Sequence, residues 1–276
     1  MSELPDPEGL LKDQYADAAN LNARMRLHGR FSTNRYGWHR WVFDRFALPD
    51  RARILELGCG AGQLWLANRE RIPAGWEITL SDFSPGMLAQ ARENLSAAGR
   101  AFSFQVIDAR AIPCRDESFD AVIANHMLYH VPDCDRALAE VRRALRAGGR
   151  LYAATNGAAH MRELRELVRT LAPDVPFSAT SPRTFALENG AAVLRRFFSR
   201  VALHRYPDAL RVTEAEPLVA YVLSLRGARS ALAGATLAEL RRMAQERIAA
   251  GGDMHISKDQ GMFEATRAGG SLGEMH

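Results

Sequence analysis

An apolar strand that ends in an acid and runs straight into three glycines leaves few folds open to a chain. Residues 54–62 read Ile54-Leu55-Glu56-Leu57-Gly58-Cys59-Gly60-Ala61-Gly62. Glycines at alternate positions allow a tight turn, and their backbone amides can face a bound group near a helix N-terminus. The usual dinucleotide fingerprint is G-x-G-x-x-G, built for a pyrophosphate. Here the spacing is G-x-G-x-G, and a carboxylate at Glu56 would repel a pyrophosphate but suits an ammonium. Three further strand candidates end on polar groups in order: Asp82, Asp108 and Asn125-His126. Together they describe one rim of a sheet that could hold a nucleoside.

Strand and helix patterns alternate around that rim. Arg53–Leu57, Glu77–Ser81, Phe102–Ile107, Phe119–Ala124 and Arg150–Ala154 read as strands. Between them lie a helix after Gly62, a helix opened by Ser84-Pro85, and a helix started by Asp133 or Asp135 and ended by Gly148-Gly149. This rhythm predicts an α/β fold with a mostly parallel sheet covered on both faces. After Thr155 the rhythm breaks. Helices are expected over 161–171, 188–198, 214–225 and 237–248. A strand is expected over Val201–Tyr206, with two short strand pieces around Gly261.

Composition narrows the class. The chain has 276 residues and 47% hydrophobic content, ordinary for a globular protein. No stretch reaches the roughly 18 apolar residues of a membrane span. The acidic start, Met1-Ser2-Glu3-Leu4-Pro5-Asp6, is unlike a secretory signal, so a cytoplasmic location is expected. The net charge is +4, but the cations are nearly all Arg, Lys12 and Lys258 excepted, and are interleaved with acids. Arg142, Arg143 and Arg146 fit a solvated helix face better than a polyanion surface. Cys59, Cys114 and Cys134 have neither zinc nor disulfide spacing, and no metal site is expected.

The glycine turn after Leu-Glu-Leu, with Asp82 one strand later, resembles the class I S-adenosylmethionine-dependent methyltransferases. Within that class it is similar to the ubiquinone/menaquinone and antibiotic small-molecule methyltransferases. The resemblance is clear over about 50–155. It implies a Rossmann-like seven-stranded methyltransferase sheet with helices on both faces and the last strand antiparallel. N-terminal helices and a helical cap insertion would be added. The implied segments are 1–48, helical and aromatic, covering the active site; 49–155, the cofactor-binding core; 156–267, the rest of the sheet with cap helices near 158–185 and 208–230; and a flexible tail, 268–276.

The same resemblance assigns the cofactor site. Glu56, Gly58, Cys59 and Gly60 would hold the methionyl end of S-adenosyl-L-methionine. Asp82 would hold the ribose, with helix capping as the alternative. Phe83 would lie along the adenine with Met87 nearby, although Met87 could equally be core. Asp108 and Ala109 would meet the adenine amino group, or Asp108 could cap a loop. Asn125 and His126 would lie beneath the methionyl chain.

Methyl transfer from a sulfonium is an in-line displacement, so positioning and desolvation dominate and a base is needed only for some acceptors. His130, His126, Tyr15 and Tyr36 are the candidates closest to that chemistry. A backbone-bonded structural role for His130 remains open. Tyr36, Trp38, His39 and Trp41 could wall an acceptor, fix the N-terminal helices to the sheet, or form a dimer contact. The expected acceptor is a small organic molecule, such as a natural product or quinone-like metabolite. Nucleic acid is not expected, and residues 125–128 lack the Asn/Asp-Pro-Pro-Tyr/Phe signature of base or amino-group methylation. A homo-oligomer through the N-terminal or cap helices stays open. So do RNA or protein methylation and a non-transferring cyclase or binding protein on the same cofactor site.

Overall fold

The computed structural model describes residues 18–175 and 185–269. Tyr15 and most of the tail, together with the part of the first cap segment over 176–184, lie outside them. The chain divides into two units, each made of three stretches. One comprises 38–156, 180–206 and 261–276, the other 1–37, 157–179 and 207–260. This division cuts across the segments expected from the sequence, because Trp38–Phe43 falls with the sheet and Tyr36 does not.

The sheet has seven strands: β1 (Arg51–Leu57), β2 (Gly75–Asp82), β3 (Ser103–Val106), β4 (Phe119–Asn125), β5 (Leu145–Asn156), β6 (Arg200–Val212) and β7 (Met254–Thr266). Their order is β3-β2-β1-β4-β5-β7-β6. β1 pairs in parallel with β2 and β4, β2 with β3, and β4 with β5. β7 runs antiparallel to its neighbours. Arg267 exchanges backbone hydrogen bonds with Gly148 and Gly149 at the start of β5, and Ser199 N, just before β6, donates to Thr266 O. The expected fold class is therefore observed.

Burial explains which segments take central places. β1 and β4 run through the middle, and their continuous apolar stretches are covered on both faces. β3 is an edge strand, and its Ser103, Gln105 and Val106 are exposed. Alternation divides the core in two. Leu55, Leu57, Val122, Ala124 and Leu151 face one side, with Leu138 and Phe263. Ile54, Ala121, Ile123 and Tyr152 face the other, with Trp41, Trp65 and Met262.

The helices of this unit are α2 (Trp38–Phe43), α3 (Gln63–Leu66), α4 (Pro85–Leu95), α5 (Cys134–Ala144) and α7 (Gly190–Leu194). Ser84 caps α4, its Oγ accepting from Met87 N at 3.4 Å, with Pro85 in the first turn. Asp133, rather than Asp135, caps α5 by accepting from Arg136 N at 3.0 Å. The other unit gathers α1 (Ala18–Phe31), α6 (Arg162–Leu171), α8 (Ala215–Leu223), α9 (Ala228–Ala231) and α10 (Ala235–Gly251) around Leu27, Leu164, Leu218, Leu240 and Ile256. There Lys258 and Asp208 form an ion pair at 2.5 Å with both side chains buried. Ser32 Oγ and Asn34 N also donate to Asp208. Glu163 accepts from both Ser257 N, at 2.8 Å, and Ser257 Oγ, at 2.7 Å.

Three expectations about elements need correction. β5 begins at Leu145 and not at Arg150, because residues 146–149 bulge from the ladder between the pairs Phe119–Leu145 and Ala121–Arg150. The helix expected over 188–198 is only Gly190–Leu194. β7 is continuous through Gly261. A Cβ at Gly261 would lie 2.7 Å from His204 O, so this glycine marks a close strand approach and not a break. β6 likewise continues past Pro207, which an edge strand tolerates.

Candidate active site

The order of the sheet reverses direction between β1 and β4, so the loops after these strands diverge and leave a crevice at their carboxyl ends. Every residue described next belongs to the sheet-bearing unit unless stated otherwise. Strand alternation places Glu56 on the face of Ile54 and Trp65. Its carboxyl is 2% exposed and accepts the Nε1–H of Trp65, itself fully buried, at 2.6 Å. Burial pushes this carboxyl up to about 7 against the opposing Trp65 hydrogen bond, and the Asp82 charge adds to the rise. The Asn125 amide favours the Glu56 carboxylate without reaching a well-formed hydrogen bond.

The turn that follows is held from below. Ser81 Oγ donates to Glu56 O at 2.7 Å, and Cys59 N donates to Ser81 O at 2.8 Å. Gly58 has φ +67°, and a Cβ there would sit 2.8 Å from Met127 Cβ, so both backbone and space demand glycine. Gly60 has φ +53° with nothing within 4 Å of its missing Cβ. Backbone at that position is open to a ligand. Cys59 is buried and its thiol is pushed upward by desolvation and by the two nearby carboxylates, so it stays protonated.

Asp82 closes the turn. Its Oδ2 accepts from Gly60 N and its Oδ1 from Ser84 N, each at 2.9 Å. The capping role is therefore real, yet each oxygen keeps lone-pair capacity for a further donor. Burial raises this carboxyl, and the amides of Ser84, Gly60 and Phe83 oppose the rise. Phe83 is 44% exposed, an unusual setting for a large apolar ring. Met87 is buried, which favours the core reading for it. Asp108 carries a salt bridge to Arg110 at 2.7 Å, which holds its carboxyl below the usual range. An incoming amino group would share that acid with Arg110. Ala109 is buried behind it.

Asn125 ends β4 with both side-chain polar atoms buried and, beyond the loose approach of its amide to Glu56, no well-formed hydrogen bond. Orphaned amides of this kind are costly and mark places where a ligand or water completes the set. His126 adopts φ +53°, and its N donates to Ala154 O at 3.0 Å. The left-handed turn aims its ring at Trp38, 5.1 Å away between centroids. Trp38 in turn contacts Trp41 and Tyr206, each at 5.3 Å. Tyr129 lies 6.3 Å from His126 and 4.4 Å from His130, in the 3-10 turn Leu128–His130. His130 N donates to Met127 O at 2.9 Å. Burial drops His39 to about 4, so it is neutral at ordinary pH.

The structure thus brings together Glu56, Gly58, Cys59, Gly60, Asp82, Asn125, His126 and His130. Tyr36 lies in the other unit with its side chain 46% exposed. Two features escaped sequence reasoning. The Trp65–Glu56 bond was masked because Trp65 reads as one more apolar helix residue. Tyr206 was read only as the last residue of a strand. The Asp108-x-Arg110 spacing, by contrast, is a signal that could have been used. Among the described residues no group of three or more His, Cys, Asp or Glu is arranged to hold a metal ion.

Residues 55–153 match the family described as Methyltransferase domain. This matched segment is a methyltransferase domain of the class I S-adenosylmethionine-dependent type. Over 114 residues it is 40% identical to a demethylmenaquinone methyltransferase of Thermus thermophilus, covering 41% of this chain and 51% of that protein. It is 38% identical over 127 residues to a malonyl-[acyl-carrier protein] O-methyltransferase of Geobacter sulfurreducens, covering 45% and 46%. The aligned segments thus span about half the length of these curated relatives. Among solved structures, a phosphoethanolamine N-methyltransferase 2 of Haemonchus contortus has a TM-score of 0.60 at 17% identity, covering 96% of this chain and 60% of that one. That likeness concerns the fold.

The methyltransferase cradle fits its cofactor on its own chemistry. Glu56 with the open backbone at Gly60 suits the zwitterionic methionyl end. Asp82 has acceptor capacity for ribose hydroxyls, and the exposed Phe83 ring offers a face for adenine. The orphaned Asn125 amide can complete its hydrogen bonds on the same ligand.

Proposed function

We propose that this chain transfers a methyl group from S-adenosylmethionine to an O, N or C atom of a small organic acceptor of quinone-like or natural-product type. The observation that carries the reading is the cradle of Glu56, the glycine turn and Asp82 at the reversal of the sheet, with aromatic side chains beside it in the same unit. When bound, the cofactor supplies an activated methyl carbon on sulfur. The chain's own residues bind and orient. Glu56 and the glycine backbone fix one end, and Asp82 fixes the other. Trp38, His126 and Tyr129 offer flat, largely apolar surface that suits a planar acceptor and excludes water. His126 and His130 stand near the reacting edge as proton acceptors for acceptors that must lose a proton. His39 is too weak a base for that role.

The charge distribution supports a small molecule over nucleic acid as acceptor. Arg143 of α5 is engaged by Glu140 and Asp116, and Arg146, which lies past the helix end in β5 and not on the expected helix face, by Asp120, so two of these three clustered arginines are neutralised. No described helix is long and apolar enough to cross a membrane. The three cysteines carry free thiols, which supports a reducing, cytoplasmic setting. Association through the N-terminal or cap helices is part of the proposal, and light scattering of the purified chain reads it directly.

The test is calorimetry with S-adenosylhomocysteine, followed by incubation with methyl-labelled cofactor and panels of quinols, phenols and amines. Saturable binding and a product heavier by one methylene support the reading. Absence of binding refutes it. Label found only in protein or RNA would replace the acceptor class.

A further inference from the structure

A second cleft lies in the sheet-bearing unit, away from the cofactor cradle. It is a largely open concavity of about 400 Å³, lined by Ala139 and Arg142 of α5 and by Arg195, Arg196, Phe197 and Phe198, which follow α7. Its position in the fold is fixed by topology. α5 ends where β5 begins, and Leu145 at that start pairs with Phe119 at the start of β4. Phe198 precedes the first residue of β6. The cleft therefore sits at the end of the sheet opposite Asn125 and the glycine turn, roughly 20 Å away by the length of a seven-residue strand.

Its charge is unbalanced. Arg196 makes two hydrogen bonds to Asp135, at 2.9 and 2.5 Å, and its guanidinium lies 5.4 Å from the Phe197 ring centre. Asp135 is the acid that touches the cleft's cations. Arg142 and Arg195 have no side-chain hydrogen bond or ion pair among the described residues. Their neighbours differ: Arg143 and Arg146, in the same run of sequence, are both paired with acids. Three guanidiniums against one carboxylate leave two positive charges facing one concavity. The rim is thus set with planar donor forks, while the buried Phe198 and the exposed Ala139 contribute no polar side chain. Such forks match the oxygens of phosphate better than they match a point charge.

We infer that this cleft binds a phosphate or pyrophosphate group, at a site separate from methyl transfer. Arg142 and Arg195 are its main contacts, and Arg196 is held in place for the same ligand by Asp135 and Phe197. The required ligand chemistry is a group with two or more negative charges on tetrahedral oxygens. Inorganic pyrophosphate and the diphosphate of a nucleotide both satisfy it.

The experiment is calorimetric titration of the full chain, saturated with S-adenosylhomocysteine so that the cofactor cradle is filled. Inorganic pyrophosphate is the probe at low salt, and ADP is titrated in parallel. Saturable binding is expected, weakened about tenfold or more in the R142A/R195A double variant and by added salt. The R142K/R195K variant should fall between the two, because lysine keeps charge but loses the fork. Both positions are exposed, so all three chains should share one urea midpoint. Equal affinity for the two probes assigns the site to the phosphates alone. Tighter ADP binding that the double variant also loses adds a nucleoside contact. Absence of saturable heat up to about 10 mM pyrophosphate, or unchanged affinity in R142A/R195A, overturns the inference.

Discussion

Replacing Glu56 by Gln should stabilise the ligand-free protein at alkaline pH while damaging cofactor binding. The Glu56 carboxyl stands near 7 in the folded chain against an ordinary value of 4.5, with burial as the main cause. Below 4.5 it is protonated in both states and costs nothing. As pH rises the unfolded chain ionises first, so the native state binds the extra proton and stability falls until pH passes about 7. The full loss is about 3 kcal/mol, of which about 2 kcal/mol falls between pH 5.5 and 8. Glu56→Gln removes this titration, and its amide oxygen can still accept from Trp65 Nε1. Urea unfolding of both proteins at the two pH values isolates the effect, because every other titration cancels in the difference. The stability gap should widen in favour of the variant by about 2 kcal/mol at pH 8. A gap that stays constant or widens the other way would refute the assignment of Glu56 as a desolvated acid. Affinity of the parent for S-adenosylhomocysteine should rise with pH through 7, and this dependence should disappear in Glu56→Gln.

Gly58→Ala should cost about 3 kcal/mol, from the left-handed backbone and the clash with Met127, and should abolish cofactor binding before it unfolds the chain; thermal melts with and without S-adenosylhomocysteine read both. Glu163 is held at about 2 by the Ser257 hydrogen bonds although burial opposes them, so its contribution is present above 4.5 and fades as pH falls toward 2. Glu163→Gln should therefore lose about 2 kcal/mol at pH 7 and flatten the acid limb of a stability profile. Burial works against the Asp208 carboxylate, yet bonds from Lys258, Ser32 and Asn34 hold it below its usual range. Asp208→Asn strands a buried ammonium and should cost about 3 kcal/mol or more by chemical denaturation, with part regained in Asp208→Asn/Lys258→Met.

The legible parts of this chain were those that local chemistry dictates. The glycine turn, the acids at strand ends and the Ser84-Pro85 cap all act within a few residues, so spacing alone exposes them. Strand ends were read less well, because they depend on neighbours far away in sequence. Gly261 carries no local sign that His204 O lies against it, so it read as an interruption of a strand that is in fact continuous. Gly148-Gly149 looked like a helix stop, and only the register of β4 against β5 identifies it as a bulge. At the site, Glu56 was visible but its partner was not. A tryptophan nine residues on gives no hint in sequence that its one polar atom points back at the acid. The aromatic contact of Trp38 with His126 likewise depends on a positive φ that histidine seldom adopts.

Each unit is woven from three stretches of the chain, with β6 and β7 supplying residues to both. No single cut releases either one. A nascent chain emerging from the ribosome has completed neither until residue 260 has been made, so the early βαβ segments must wait for their last antiparallel strand. Swapping the helical unit between relatives would likewise mean exchanging three segments together, with six matched junctions or chain ends, and a transplant confined to 207–260 should yield an aggregating chain.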